Sequence, residues 1–448
     1  MSMKKLICLL LTAAMMFSLV ACGGNTTTNN TAGNGNTNNS GTTDEGGDAA
    51  TGDTIRIGVL TPLTGASAQL GNQVAEIYQM VTDIINEEHP ELTMAMAANA
   101  GIQSMGGAKL ELVIADHKSD ATTAVSEARR LISEENVVAI CGEFTSAIAK
   151  AVAVVTEQYQ IPLVASCSAV SLTDGTNNFQ WFFRYAINDE TYIKDTFDFL
   201  DYLNENYDAG IETVALFSED SEFGANIVPL EEKYAEEYGY EIVETINYSS
   251  SATNLTSEVM RIKEADPDVL LMSSFVSDAL LFFNTCKEQQ YTPNFIIGQR
   301  GGFIQSDYLT AMGDENNYIC TTASWGSDIT TAVTQELVEL WANSEYNSEK
   351  VALMDSHVKD AMNLLFLAMA IEQAGTTENT ALREALLNLE YDMDTLMIPW
   401  NGIEFNEYGQ NTQSNGFITQ YYDGAYRTVY PEAGASMEPV YPMPEFAY

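Results

Sequence analysis

From Thr54 onward, short apolar runs alternate with stretches whose apolar positions recur every three or four residues, the signatures of strands and amphipathic helices in turn. Ile55 to Leu60 is a β-branched run. It leads through Thr61-Pro62-Leu63-Thr64-Gly65 into a helix with Val74, Ile77, Val81 and Ile84 or Ile85 on one face. Leu110 to Ile114 is the next strand, and Asp120 is placed to cap a helix carrying Val125, Ala128, Leu131 and Ile132. Val137 to Cys141 and Ile161 to Ala165 flank a helix over 146–159 that turns Ile148, Val152, Val155 and Tyr159 inward.

The rhythm restarts with strands at Thr213 to Phe217, Glu241 to Ile246, Val269 to Met272 and Phe295 to Gly298. The helices between them end near Gly239, start near Asn254, and pass through Leu280 and Phe283. Pro229 falls inside the first of these helices, which implies a late start or a kink. After Tyr318 to Ala323 the spacing predicts helices over about 332–345, 357–374 and 380–389. Asp423-Gly424 between the closing apolar runs signals a hairpin. Apolar strands alternating with amphipathic helices imply parallel sheets covered on both faces, so the pattern predicts an α/β chain of two lobes in tandem.

Ahead of this body the pattern changes. Lys4 and Lys5 precede an apolar run from Leu6 to Val20, short for a membrane span and of the form of a secretion signal. Leu19-Val20-Ala21-Cys22 resembles the lipobox of bacterial lipoproteins, in which the signal is cut before the cysteine and its thiol is acylated. The alternative is an ordinary secretion signal with a stray cysteine. Residues 23–53, rich in Asn, Thr, Gly and Ser, cannot bury enough surface to fold and read as a flexible tether.

Composition narrows the function classes. About 395 residues after the tether are too many for one core and suit two. A net charge of -44, from 19 basic and 63 acidic residues, argues against nucleic acid and anionic membrane surfaces as partners. Cys141, Cys167, Cys286 and Cys320 form no C-x-x-C pair and meet no histidine cluster, so no metal site is expected. Cys141 and Cys167 fall at the ends of neighbouring strands, which leaves a bridge between them open. Nor is an enzyme expected: His89, His117 and His357 belong to no catalytic motif, and there is no G-x-S-x-G, H-E-x-x-H or P-loop signature.

Six ordered segments then carry a resemblance: "IRIGVLTPLTGASAQLG", "LELVIADHKSDATTAVSEARRLI", "GEFTSAIAKAVAVVTEQYQIPLVASCSAVSLTD", "FFRYAIND", "VALFSEDSEFGANIV" and "FITQYYDGAYRTVYP". Together they resemble the leucine/isoleucine/valine-binding family, the solute receptors of branched-chain amino acid type ABC importers. The resemblance runs from Ile55 to Pro431. It implies a type I periplasmic-binding fold of two Rossmann-like lobes joined by a three-strand hinge, closing on a ligand between them. It places residues 54–184 and 325–398 in one lobe and 185–324 and 399–448 in the other, after a signal peptide over 1–21 and a tether over 22–53. It also implies a monomer without a cofactor, held outside the cell membrane by lipid on Cys22 and serving an ABC permease there. A sensor that hands its closed form to a separate membrane partner is the alternative, since neither a membrane span nor a signalling domain follows the body.

Ligands of open α/β sheets sit beyond the carboxyl ends of the strands, here the ends of Val137 to Cys141 and Ile161 to Ala165. Ser146 starts the helix after the first, where free N–H groups can hold a carboxylate; a plain cap is the other reading. The resemblance places Ser166 and Ser168 in the loop that grips the same carboxylate. It implies that the wall positions, usually aromatic or tyrosine, are Leu70, Phe223 and Phe275. Where the family's amino-acid binders carry a glutamate for the α-ammonium, Arg300 stands, with Gln299 beside it. A cation cannot accept an ammonium. Arg300 is therefore expected either to pair with a ligand carboxylate or to serve a protein acid, and with the apolar walls this points away from a simple aliphatic amino acid and toward a solute with a second acid or without an ammonium. Asp220 and Asp278 remain as possible amine acceptors. Arg184 resembles the family's structural crossover arginine, and Trp325 fits the hinge or core.

Overall fold

The computed structural model describes residues 54–446. The signal segment, Cys22 and the 23–53 tether lie outside the described residues. Within them the chain order is β1 (Ile55–Thr61), α1 (Ala68–Asn86), β2 (Leu110–Asp116), α2 (Ala121–Ser133), β3 (Ala139–Cys141), α3 (Ser146–Tyr159), β4 (Leu163–Val164) and β5 (Phe182–Phe183). Then come α4 (Asp189–Tyr207), β6 (Thr213–Glu219), α5 (Glu222–Tyr238), β7 (Glu241–Tyr248), α6 (Thr256–Ala265), β8 (Val269–Ser273), α7 (Val276–Glu288), β9 (Ile296–Gly298), α8 (Ser306–Met312) and β10 (Cys320–Ala323). The chain finishes with α9 (Ala332–Asn343), α10 (Asp355–Ala374), α11 (Asn379–Leu387), β11 (Phe417–Tyr422) and β12 (Ala425–Tyr430).

Two sheets form, as the alternation requires. The first runs β2-β1-β3-β4-β5, all parallel. β1 shows why it needs helices on both faces. Ile55, Ile57 and Val59 enter a core shared with α1 and α10, while Leu60 enters another shared with α2 and α3. Successive strand residues point to opposite faces, so an apolar run of this kind is stable only when both are covered. The second sheet runs β12-β11-β10-β9-β8-β6-β7, parallel from β10 to β7 and antiparallel through the closing hairpin. Its core takes Phe197 and Leu200 of α4, Phe217 of β6 and Phe282 and Phe283 of α7.

The chain passes three times between the first sheet's core with α1 and α10, the first core below, and the second sheet's core, the second. After β5, Tyr185 and Ala186 still pack in the first core, and α4 packs in the second. After β10, Trp325 is back in the first, 2% exposed, with its indole N–H donating to Thr334 Oγ1 at 3.3 Å. Trp400 packs in the first core and Ile418 in the second, which marks the third passage.

Two local readings need correction. α5 begins at Glu222 and continues through Pro229, so the late start does not occur; the proline simply leaves the Ala225 carbonyl without its helical donor. Tyr159, expected inward, is 42% exposed, because it is the last residue of α3 and Gln160 turns the backbone left-handed at φ 53° immediately after it.

Candidate functional site

In each sheet the strand order reverses once, beside β1 in the first and beside β6 in the second. Loops leaving the strands at such a point open a crevice at their carboxyl ends. The two crevices meet, and one pocket is lined from both sides. Elements packed on the first sheet supply Leu70, Thr145, Ser146, Ser166, Ser168, Lys359 and Asp360; elements packed on the second supply Phe223, Phe275, Arg300 and Ile304.

The loop after β3 prepares a helix start. Thr145 flanks α3, but its side chain makes no cap; N–H and Oγ1 of Thr145 both donate to Glu143 Oε1, at 2.8 and 2.7 Å. Ala149 is the first residue whose amide bonds back, to Thr145 O, so the amides of Ser146, Ala147 and Ile148 have no acceptor inside the helix. Ser146 is the first helical residue rather than the cap, and its Oγ accepts from Ala169 N at 3.2 Å. That bond ties α3 to the loop carrying Ser166 and Ser168. The fully buried Arg184 fastens this loop from behind, donating to the carbonyls of Cys167 and Ala169 at 3.0 and 2.9 Å, to Gln410 Oε1 at 2.6 Å, and to Thr173 Oγ1. Arg184 is thus a clamp and is not part of the pocket lining.

Arg300 projects from the opposite wall. It is 3% exposed and has an unusual backbone, φ 56° and ψ -111°, a region disfavoured for any side chain. Strain of this kind persists where the surroundings over-determine it, and here they do. Arg300 Nη2 donates to Asp189 Oδ1 at 2.5 Å and to Ser168 Oγ at 2.9 Å, and the guanidinium lies 3.8 Å over the Tyr192 ring. Asp189 in turn accepts from Asn226 Nδ2 at 2.7 Å. The bond to Ser168 joins one lobe to the other.

Leu70, Ser146, Ser166, Ser168, Phe223, Phe275 and Arg300 therefore line one pocket. Asp220 does not; it is exposed and accepts from Ser250 N at 2.9 Å. Asp278 lines a wider opening that adjoins the pocket, its carboxylate engaged by Tyr248 Oη at 2.5 Å and Phe275 N at 3.2 Å. Gln299 is fully buried and not part of the lining. The four described cysteines are free and buried, which leaves Cys141 and Cys167 unbridged.

Sequence reading missed Lys359 and Asp360, successive residues of α10. Lys359 Nζ meets Asp355 Oδ2 at 2.7 Å; burial disfavours the charged amine, and Asp355 together with Tyr192 more than offsets it, leaving its pKa above the usual lysine value. Asp355 Oδ1 accepts from N–H and Oγ of Ser324, both at 2.8 Å, at the second passage between the cores. Asp360 accepts from Ser166 Oγ at 3.2 Å. Among the described residues no group of acids, cysteines and histidines is arranged to hold a metal.

Comparison with known proteins agrees with this architecture. The family described as "Periplasmic binding protein" matches residues 54–425. Leu/Ile/Val-binding protein homolog 7 of Brucella abortus (strain 2308) is 27% identical over 404 residues, covering 88% of this chain and 96% of its own length. The Streptococcus pneumoniae branched-chain amino acid transporter substrate-binding protein LivJ, solved with isoleucine, superimposes with a TM-score of 0.68 at 18% identity, over 84% of this chain and 98% of that one. A Rhodopseudomonas palustris ABC transporter solute-binding protein solved with benzoate gives a TM-score of 0.68 at 16% identity, over 87% and 98%.

Proposed function

The chain belongs to the periplasmic binding protein family, and on that premise we propose that it is a lipid-anchored receptor that captures a small carboxylate-bearing solute, an amino acid or a related compound, and delivers it to an ABC permease. Its relatives are solute-binding proteins, so the activity is capture and not turnover. The observation that carries the reading is the placement of α3's unpaired amides and the Ser166 to Ser168 loop across one pocket from Arg300. A carboxylate at a helix N-terminus gains several N–H donors and a favourable dipole. Leu70, Phe223, Phe275 and Ile304 give the same pocket apolar walls for the rest of the solute.

Capture proceeds by closure of the lobes, assigned as residues 54–184 with 325–398 and 185–324 with 399–448. Gln73 Nε2 donates to Ser306 Oγ at 2.9 Å and Lys150 Nζ meets Glu222 Oε1 at 2.8 Å, contacts between first-lobe and second-lobe helices that hold the closed form. Solute bound between the lobes shifts the population toward that form, which the permease recognises. Lipid on Cys22 and the tether over 23–53 keep the monomer near the membrane and raise its effective concentration at the permease.

A thermal-shift screen of the chain from Asp53 onward tests this against amino acids, their deaminated acids, dicarboxylates and amides. A solute that binds the folded state raises the melting temperature by mass action. A shift with carboxylate-bearing compounds that is lost when the carboxylate is amidated supports the reading. Shifts with amides alone sink it.

A further inference from the structure

We infer that Glu143 is a positioning residue for solute capture: it draws the Thr145 hydroxyl to itself, withholds the cap from α3, and so keeps the N-terminus of that helix open for a solute carboxylate. The inference rests on the carboxylate-binding reading of the pocket and names the side chain that keeps its anchor free.

Thr145 has what a cap requires. Threonine is a favoured N-cap residue, and its extended backbone, φ -96° and ψ 126°, is the form from which a cap side chain accepts from the second or third helical amide, here Ala147 or Ile148. The cap is nevertheless not made, because the Thr145 hydroxyl donates to Glu143 Oε1 at 2.7 Å and the Thr145 amide donates to the same oxygen at 2.8 Å. A carboxylate is a stronger partner for a hydroxyl than a neutral amide is. Glu143 does not cap the helix in its place. Its side chain is fully buried, its Oε2 stands 3.1 Å from Nε2 of the buried His117 after β2, and its carbonyl accepts from Ser166 N at 3.3 Å. Both carboxylate oxygens are thereby turned to other partners, and α3 has no acid in its first turn.

The second lobe holds the comparison. Glu219-Asp220-Ser221 precedes α5 as Glu143-Phe144-Thr145 precedes α3, and Glu219 likewise takes the amide and the hydroxyl of the residue two positions on, at 2.6 and 2.7 Å. There Glu219 Oε1 goes on to accept from Gly224 N at 2.9 Å, while Ser221 Oγ accepts from Phe223 N at 3.2 Å. α5 thus satisfies its own first turn and keeps no amide at its second or third position for an anion. The same tripeptide pattern closes one helix and, with His117 against the acid, leaves the other open. The pocket at the open helix also contains Ser356, 7% exposed, whose Oγ has no hydrogen-bond partner and is placed for the solute.

Amide hydrogen exchange resolved to single residues, on the full chain in detergent, tests this first without solute. Ser146, Ala147 and Ile148 are expected to exchange about tenfold faster than Phe223 and Gly224, and to become protected on saturation with isoleucine or benzoate. This readout needs no variant and holds even where one fails to fold. Titration calorimetry with the same two compounds then compares four chains. Glu143→Leu releases the Thr145 hydroxyl to cap α3, so adding Thr145→Val to Glu143→Leu should raise carboxylate affinity about fivefold, the worth of an N-cap, and restore fast exchange at Ile148. In the chain that keeps Glu143, Thr145→Val should not raise it. Each comparison holds residue 143 fixed, so the effect of its charge cancels. A gain in neither background or in both overturns the inference and leaves the carboxylate pocket standing, as does slow exchange at Ser146 to Ile148 in the solute-free chain. Binding that leaves these three amides unprotected, or failure of both carboxylates to bind, brings down the carboxylate reading as well.

Discussion

The guanidinium of Arg300 and the carboxylate of Asp189 meet at 2.5 Å, their side chains 4% and 0% exposed. Two charges withdrawn from water in this way compensate each other, and the cost appears when one is removed. The sequence offered Arg300 two roles, partner to a ligand carboxylate or partner to a protein acid. Asp189 fills the second, although at the centre of the molecule and not on its surface.

Arg300→Ala should therefore destabilise the fold by about 3–5 kcal/mol, since Asp189 is left buried and unpaired. Combining Arg300→Met with Asp189→Leu should recover most of that loss. Urea denaturation of the unaltered chain, Arg300→Met, Asp189→Leu and the double variant measures it, and additive losses in the double variant would contradict the pairing.

Stability should fall as pH rises from about 4.5 to 8. Glu231 is fully buried, and burial pushes its carboxyl from the usual 4.5 to about 8, against the lowering influence of the Gln299 side chain. An acid raised in the folded state favours folding most at pH below its unfolded value, and that contribution is lost progressively between about 4.5 and 8. Asp195, raised to about 7 chiefly by burial, acts in the same direction. The melting temperature should be lower at pH 9 than at pH 6. Glu231→Gln should raise it at pH 9, because a neutral amide carries no cost of ionising inside the core. A flat profile in both proteins would refute this account.

Gln73 touches the second lobe without lining the solute pocket. Gln73→Ala should weaken solute binding about three- to tenfold through loss of the closed form, with faster dissociation and little change in association. Stopped-flow fluorescence separates the two rates; a change confined to association would assign Gln73 a different role.

The four described thiols should be silent. Burial raises the pKa of Cys141, Cys167, Cys286 and Cys320, that of Cys167 to about 12, and thiolate is the reactive form. In the chain from Asp53 onward, a thiol reagent should label none of them natively and all four in denaturant. Labelling of fewer than four after unfolding would reveal a bridge.

The alternation of periods made both sheets legible in the sequence, because each strand and helix carries its own pattern locally. The pocket was legible at the loops that leave the strands and the first turns of the helices after them, at Leu70, Ser146, Ser166, Ser168, Phe223, Phe275 and Arg300. Lys359 and Asp360 escaped for a physical reason. All but three residues of α10 are buried, so its apolar positions trace no single stripe and nothing in the pattern singles out the face that meets the pocket. Asp189 escaped because it reads as an ordinary first-turn acid following its Asn188 cap. The contact that gives it meaning is with a residue 111 positions away.

Arg184 holds the Ser166 to Ser168 loop from the side facing away from the solute, through the backbone carbonyls of Cys167 and Ala169. The loop is in this way anchored from behind the pocket, while its front faces α10 through Ser166 and Asp360 and the far wall through Ser168 and Arg300. On the proposed reading, changes at Leu70, Phe223 or Phe275 alter the pocket walls and leave the Arg184 anchor intact, which makes this chain a starting point for biosensors retuned from one acid to another.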